Sequence, residues 1–309
     1  VSMNIDEIHP ELQAVFKRIP RMPVNHRWGL SLTRFLLKLA PNKSNHSGVI
    51  IEKITLGKAS IRIYQPEEGH CGAGLLWIHG GGLIMGTATM DDQECIKYAR
   101  DLKLVVVSVE YRLAPEHPFP AAIDDCFEAW QWFQSTAEKL GVDPARIAIA
   151  GQSAGGGLAA TLAQRVYDTG GAQPAAQVLI YPMLDDRTAT KTALDPINHL
   201  IWNNKNNHRG WSWYLAQNAG AVNLPDYAAA ARRDNLSGLP STWIGVGEVD
   251  LFCEENGEYA QRLTAAGVIC QFHTVPMAPH AFERMVPNAA ISKAFDDEIK
   301  QFLRSSLAL

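Results

Sequence analysis

From about residue 48 onward the chain alternates two hydrophobic rhythms, and few architectures accommodate both. Runs of β-branched and large apolar residues fall at 49–55, 60–64, 75–78, 104–109, 146–150, 177–181, 242–246 and 270–275. Between them lie stretches with apolar residues three and four apart, the clearest over 120–140, where Ile123, Phe127, Trp130 and Phe133 share a helical face. Pro120 suits the first helical turn and Gly141 the stop. The run Leu104-Val105-Val106-Val107 has no polar alternation, which suits a central parallel strand buried on both faces. The expectation is an α/β fold: a mostly parallel sheet of about eight strands flanked by helices.

Two segments break the rhythm. In residues 1–45, Trp28, Leu32, Phe35, Leu36 and Leu39 fall on one helical face, with Arg27, Arg34 and Lys38 largely elsewhere. That stripe reads as core packing, as the lining of an acyl or alcohol pocket, or, against a polar face that is short and not strongly basic, as a membrane-surface contact. Residues 188–225 are rich in Asn and aromatics, among them Trp202, Trp211, Trp213 and Tyr214. Neither segment extends a sheet, so 1–45 and 188–225 are expected to form a helical cap on a core made of 46–187 and 226–309.

Composition narrows the partners. The 309 residues are 47% hydrophobic, ample for a large core, and 28 Lys and Arg against 32 Asp and Glu leave a net charge of −4. No strongly cationic face for nucleic acid follows from that balance. The five cysteines are odd in number and scattered, without C-x-x-C or His-Cys clustering, which predicts reduced thiols in a cytoplasmic protein and no zinc site. No apolar run reaches membrane-spanning length, and the polar start at Val1-Ser2-Met3 lacks the pattern of a secretory signal, so a soluble chain is expected. There is no G-x-G-x-x-G after a strand and no H-E-x-x-H, so neither a dinucleotide nor a catalytic metal is called for.

The chemistry is concentrated in three places. Gly151-Gln152-Ser153-Ala154-Gly155 follows an apolar strand and opens a helical stretch. A turn that sharp forces its central residue into a strained conformation and lifts the hydroxyl above the sheet, which reads Ser153 as a nucleophile. His79-Gly80-Gly81-Gly82 follows another strand. Consecutive glycines carry an entropic cost, and side-chain-free backbone can present N–H groups to a substrate oxygen; Gly81, Gly82 and Ala154 would form an oxyanion hole, with His79 bracing the loop. A serine needs a base and the base a carboxylate, both downstream with the acid first. Asp250 and His280 lie just beyond strands, ahead of the competing acids Glu248 and Glu254 and the competing histidines His208 and His273.

Taken with the run Tyr111-Arg112-Leu113-Ala114-Pro115-Glu116-His117-Pro118-Phe119-Pro120-Ala121-Ala122, with Tyr181-Pro182-Met183-Leu184-Asp185 and with His280-Ala281-Phe282, these motifs resemble the hormone-sensitive-lipase-like family of microbial carboxylesterases on the α/β-hydrolase fold. The resemblance spans about 48–304. It implies a Ser153-His280-Asp250 triad, the three oxyanion donors already named, short to medium acyl esters as small-molecule substrates, and no cofactor or metal. It leaves a homodimer open. Arg112 and Glu116 read as hydrogen-bond anchors of the loop they belong to. Two residues depart from the family pattern: Gln152 stands where one branch has Asp, and Leu251 stands where proline commonly follows the triad acid. Rival readings on the same scaffold are an amidase or deacetylase, and a ligand-binding homologue that has lost catalysis.

Overall fold

The computed structural model describes residues 3–19, 24, 26–39 and 46–309; the side chains of Lys38 and Leu39 and parts of the expected first cap segment lie outside the described residues. Its helices are α1 (Pro10–Phe16), α2 (Arg27–Leu39), α3 (Asp92–Leu102), α4 (Ala121–Thr136), α5 (Ala154–Thr169), α6 (Asn204–Leu215), α7 (Cys253–Ala265), α8 (Phe282–Met285) and α9 (Ala290–Leu307). The strands are β1 (Val49–Leu56), β2 (Ala59–Pro66), β3 (Gly74–Ile78), β4 (Val105–Glu110), β5 (Ile147–Gln152), β6 (Gln177–Ile180), β7 (Thr242–Gly247) and β8 (Cys270–Val275). They form one sheet in the order β1-β2-β4-β3-β5-β6-β7-β8. The β1-β2 and β2-β4 pairs are antiparallel and the others parallel. All eight expected strands are present, displaced by a residue or two at their ends.

Alternation along the strands divides the core between the two faces. On β3, Leu76 and Ile78 join a cluster that includes residues of α4, α5 and α7, whereas Leu75 and Trp77 join one that includes residues of α1, α3 and α9. β3, β5, β6 and β7 are buried along their whole length, which is why their sequences lack polar alternation. Helix α4 ends in a short 3-10 turn, Ala137–Leu140, closed by Gly141 at φ +70°, as its sequence predicts.

Residues 186–215 form two short 3-10 turns followed by α6. Trp202, Trp211 and Tyr214 from this stretch belong to the same apolar cluster as Leu158 of α5 and Met183, so it is packed onto the main core.

Helix α2 corrects an expectation. Trp28 is 67%, Leu32 46%, Phe35 57% and Leu36 56% exposed, so these four residues of the apolar stripe neither fill the core nor line a pocket. The buried side carries Leu30, Thr33, Arg34 and Leu37, spaced i, i+3, i+4, i+7. Arg34 fixes the rotation. Its Nε donates to Ile84 O at 2.7 Å, its Nη2 to Ala114 O at 2.6 Å, and its Nη1 to both oxygens of Glu116 at 2.9 Å. The guanidinium thus ties this side of the helix to two carbonyls and a carboxylate.

Candidate active site

Ser153 sits between the end of β5 and the first residue of α5, at φ +55° and ψ −122°. A non-glycine residue held there stores strain that the surroundings must enforce. They do so by leaving no room: a Cβ on Gly151 would lie 2.3 Å from Gly155 O, and one on Gly155 would lie 2.1 Å from Ile78 O. Backbone bonds from Ser153 N to Ile180 O (2.8 Å) and from Met183 N to Ser153 O (2.9 Å) complete the clamp.

His280 lies on the loop after β8, between two partners. Its Nε2 is 3.0 Å from Ser153 Oγ, and its Nδ1 is 2.7 Å from Asp250 Oδ2. Asp250 follows β7, and its Oδ1 accepts the Phe252 N–H at 2.9 Å. All three side chains are buried. The His280 ring meets Tyr181 and Phe252 edge-on, at centroid distances of 4.6 and 5.4 Å. With Nδ1–H directed at the carboxylate, Nε2 is left free to take a proton from the hydroxyl. The competing groups lie elsewhere. His273 stacks on Trp243 and pairs with Glu298 at 2.9 Å, and His208 lines a separate surface depression with Lys205 and Arg209. Glu248 accepts Met277 N–H, and Glu254 pairs with Lys191.

The glycine turn approaches the serine closely: a Cβ on Gly80 would stand 3.4 Å from Ser153 Cβ. Gly81 and Gly82 adopt φ +124° and +60°, where side chains are strained, and a Cβ on Gly81 would lie 2.0 Å from Met85 O. Among the described residues the N–H groups of Gly81, Gly82 and Ala154 donate no hydrogen bond. His79 turns away from the serine. It stacks on Tyr111 at 4.2 Å, and Tyr111 Oη donates to His79 O at 2.9 Å, the bracing role its position suggested.

Of the two loop anchors, Arg112 forks onto Asp125 of α4 at 2.7 to 3.1 Å, whereas Glu116 reaches across to Arg34 of α2. Ser153, His280, Gly81 and Gly82 open onto a cavity of about 310 Å³. Its apolar walls include Leu37, Met85, Ile201, Trp202 and Met285.

The cavity wall also carries polar residues given no role from sequence, Asp91, Tyr181 and Arg284, with Glu283 behind Tyr181. Gln152 joins them. Buried beside the triad, His199 is held below the usual histidine range by desolvation. Among the described residues there is no group of three or more His, Cys, Asp or Glu arranged to hold a metal ion, and no helix long and apolar enough to cross a membrane. The five cysteines are unpaired.

A sheet of this order with a serine at the strand-to-helix turn and an Asp-His pair contributed from beyond β7 and β8 defines a class, and the class is matched directly. The α/β-hydrolase-fold family matches residues 75–284, and the chain belongs to that family, in its hormone-sensitive-lipase-like branch. Among characterised relatives, esterase LipI of Mycobacterium tuberculosis is 33% identical over 287 residues, covering 89% of this chain and 88% of that protein. Carboxylesterase NlhH of the same species is 37% identical over 221 residues, 70% of this chain and 69% of that one. Among solved structures, a bacterial heroin esterase superimposes with a TM-score of 0.91 at 34% identity, over 98% of this chain and 99% of its own.

Proposed function

We infer that the chain is a serine carboxylesterase that hydrolyses short to medium acyl esters of small molecules through an acyl-enzyme on Ser153. The observation that carries this is the position of His280, 2.7 Å from an acceptor carboxylate on one side and 3.0 Å from the serine hydroxyl on the other. His280 takes the Ser153 proton as Oγ attacks the ester carbonyl, and Asp250 stabilises the imidazolium that results. The carbonyl oxygen, gaining charge, is received by the N–H groups of Gly81, Gly82 and Ala154. His280 then protonates the departing alcohol, and water repeats the cycle on the acyl group. The names of the similar proteins, esterase and carboxylesterase, support the same reading.

In this reading residues 1–45 and 188–225 act as the cap, with Ile19 and Leu37 from the first and Ile201 and Trp202 from the second on the cavity wall. The enzyme works in the cytoplasm, in keeping with five unpaired thiols. The test is S153A. It removes turnover of p-nitrophenyl butyrate and labelling by a fluorophosphonate probe while the protein stays folded; retained turnover or labelling would overturn the assignment. Matched ester and amide substrates separate esterase from amidase, an esterase favouring the ester.

A further inference from the structure

The polar residues along the cavity wall constrain one another's donors and acceptors. Asp91 receives Trp77 Nε1–H at 2.8 Å and a donor from the Arg284 guanidinium, so it is an ionised acceptor. The Gln152 side chain also reaches Asp91, at 2.8 Å, and what it offers an ionised acceptor must be its NH₂. That fixes the amide: Oε1 points the other way, to Tyr181 Oη at 3.1 Å. An amide oxygen only accepts, so for both phenol contacts to be hydrogen bonds the single phenol proton goes to Gln152. Tyr181 Oη also lies 2.5 Å from Glu283 Oε1. With its proton spent, the phenol oxygen can only accept there, and the donor must be the carboxyl.

We propose that Glu283 is a positioning residue of the esterase site, a neutral carboxylic acid whose proton sets the direction of a buried chain from Glu283 to Tyr181 to Gln152. The chain ends on the residue that precedes the nucleophile, and the ring of its middle member meets the His280 ring edge-on. This assignment deepens the esterase reading and rests on it for its catalytic meaning.

The surroundings agree. Glu283 Oε2 is buried with no partner, an arrangement a carboxylate tolerates poorly and a neutral acid tolerates better. The cations nearby are engaged elsewhere: Arg284 serves Asp91, and Lys97 of α3, which draws the Glu283 carboxyl down only in part, pairs with Asp296 of α9. Glu94 and Tyr98 of α3 add no positive charge, nor does Glu11 of α1, which accepts Ala290 N–H. Burial, with Glu94 adding to it, pushes the Glu283 carboxyl up to about 7. When Glu283 ionises, Tyr181 turns its proton to the new anion, and Gln152 Oε1 loses its donor.

The experiment compares the full-length protein with E283Q, which keeps a neutral donor, and with Y181F, which keeps the ring and cuts the chain. In infrared spectra at pH 6 the wild-type minus E283Q difference should contain a protonated carboxyl band that disappears by pH 8.5; a carboxylate signature at pH 6 would overturn the proposal. In kcat/KM profiles on p-nitrophenyl butyrate, the wild type should lose on the order of fivefold between pH 6.5 and 8.5, the effect of one buried hydrogen bond. Neither variant should show that decline. A merely structural role would lower each variant equally at every pH, and three profiles with the same decline would overturn the proposal. The infrared result does not need ester turnover: an inactive protein that still shows the protonated band defeats the esterase reading and leaves the proton on Glu283.

Discussion

Replacing Gly82 by alanine tests whether the glycine turn serves catalysis or only chain reversal. The new Cβ would stand 2.2 Å from Cη2 and 2.5 Å from Cζ2 of Trp202, where ordinary contact begins at 3.4 Å. The deficit of 3.4 − 2.2 = 1.2 Å has to be relieved by the indole or by the turn. The indole has little freedom. It is buried, its Nε1 donates to Asn207 at 3.4 Å, and Gly210 packs close to the same ring edge. Much of the displacement therefore falls on the turn that presents the Gly81 and Gly82 N–H groups. Losing one aligned oxyanion donor costs on the order of a hundredfold or more in kcat. The left-handed φ of +60° adds about 1 kcal/mol of instability, a fall of a few degrees in Tm. Steady-state kinetics and calorimetry of G82A read the two effects separately. Adding W202A removes the clash and leaves the φ strain, so the double variant should regain most of kcat without regaining Tm. A G82A protein within threefold of wild-type kcat, or a double variant whose losses simply add, would refute the reasoning.

Other expectations follow from single contacts. R112A removes the guanidinium from the buried Asp125 carboxylate, which keeps the backbone N–H of residue 112, and should lower stability by about 2 kcal/mol in urea titrations. W28E, on the exposed stripe of α2, should change unfolding free energy by no more than about 0.5 kcal/mol; a larger loss would mean that the stripe is covered. Because the Glu283 carboxyl is raised in the folded protein, its contribution to stability is complete below the ordinary glutamate range and is lost as pH rises through about 7. E283Q should flatten that part of the stability-pH curve by about 3 kcal/mol. W202A alone enlarges the cavity and should shift the optimum of a p-nitrophenyl ester series toward longer chains.

What could be read from the sequence divides along a physical line. The buried strands could, because residues such as Val105, Val106 and Val107 have no polar face to confuse with a helix. The meeting of Ser153, Asp250 and His280 in space could, because each sits at a strand exit, and such exits gather at one edge of a parallel sheet. Rotation about the α2 axis could not: the helix carries apolar residues on two faces, and the choice between them rests on Arg34 meeting partners 50 to 82 residues away. Glu283 was equally hidden, since Tyr181 lies 102 residues before it and only the folded chain shows which oxygen faces which. The one local signal was Gln152 itself, an amide in a position where the related branch carries an acid.

Arg34 fastens three things with one side chain: the helix at the cavity rim, the segment just past the glycine turn, and the proline-rich loop at Ala114. Admission and reaction therefore share a hinge pin. An outward shift of α2, whose Leu37 lines the cavity, would pull on Ile84 O and so on the segment that follows the glycine turn. Changes at Arg34 should therefore alter the cavity wall and the turn together, which is the consequence of fastening both with a single guanidinium.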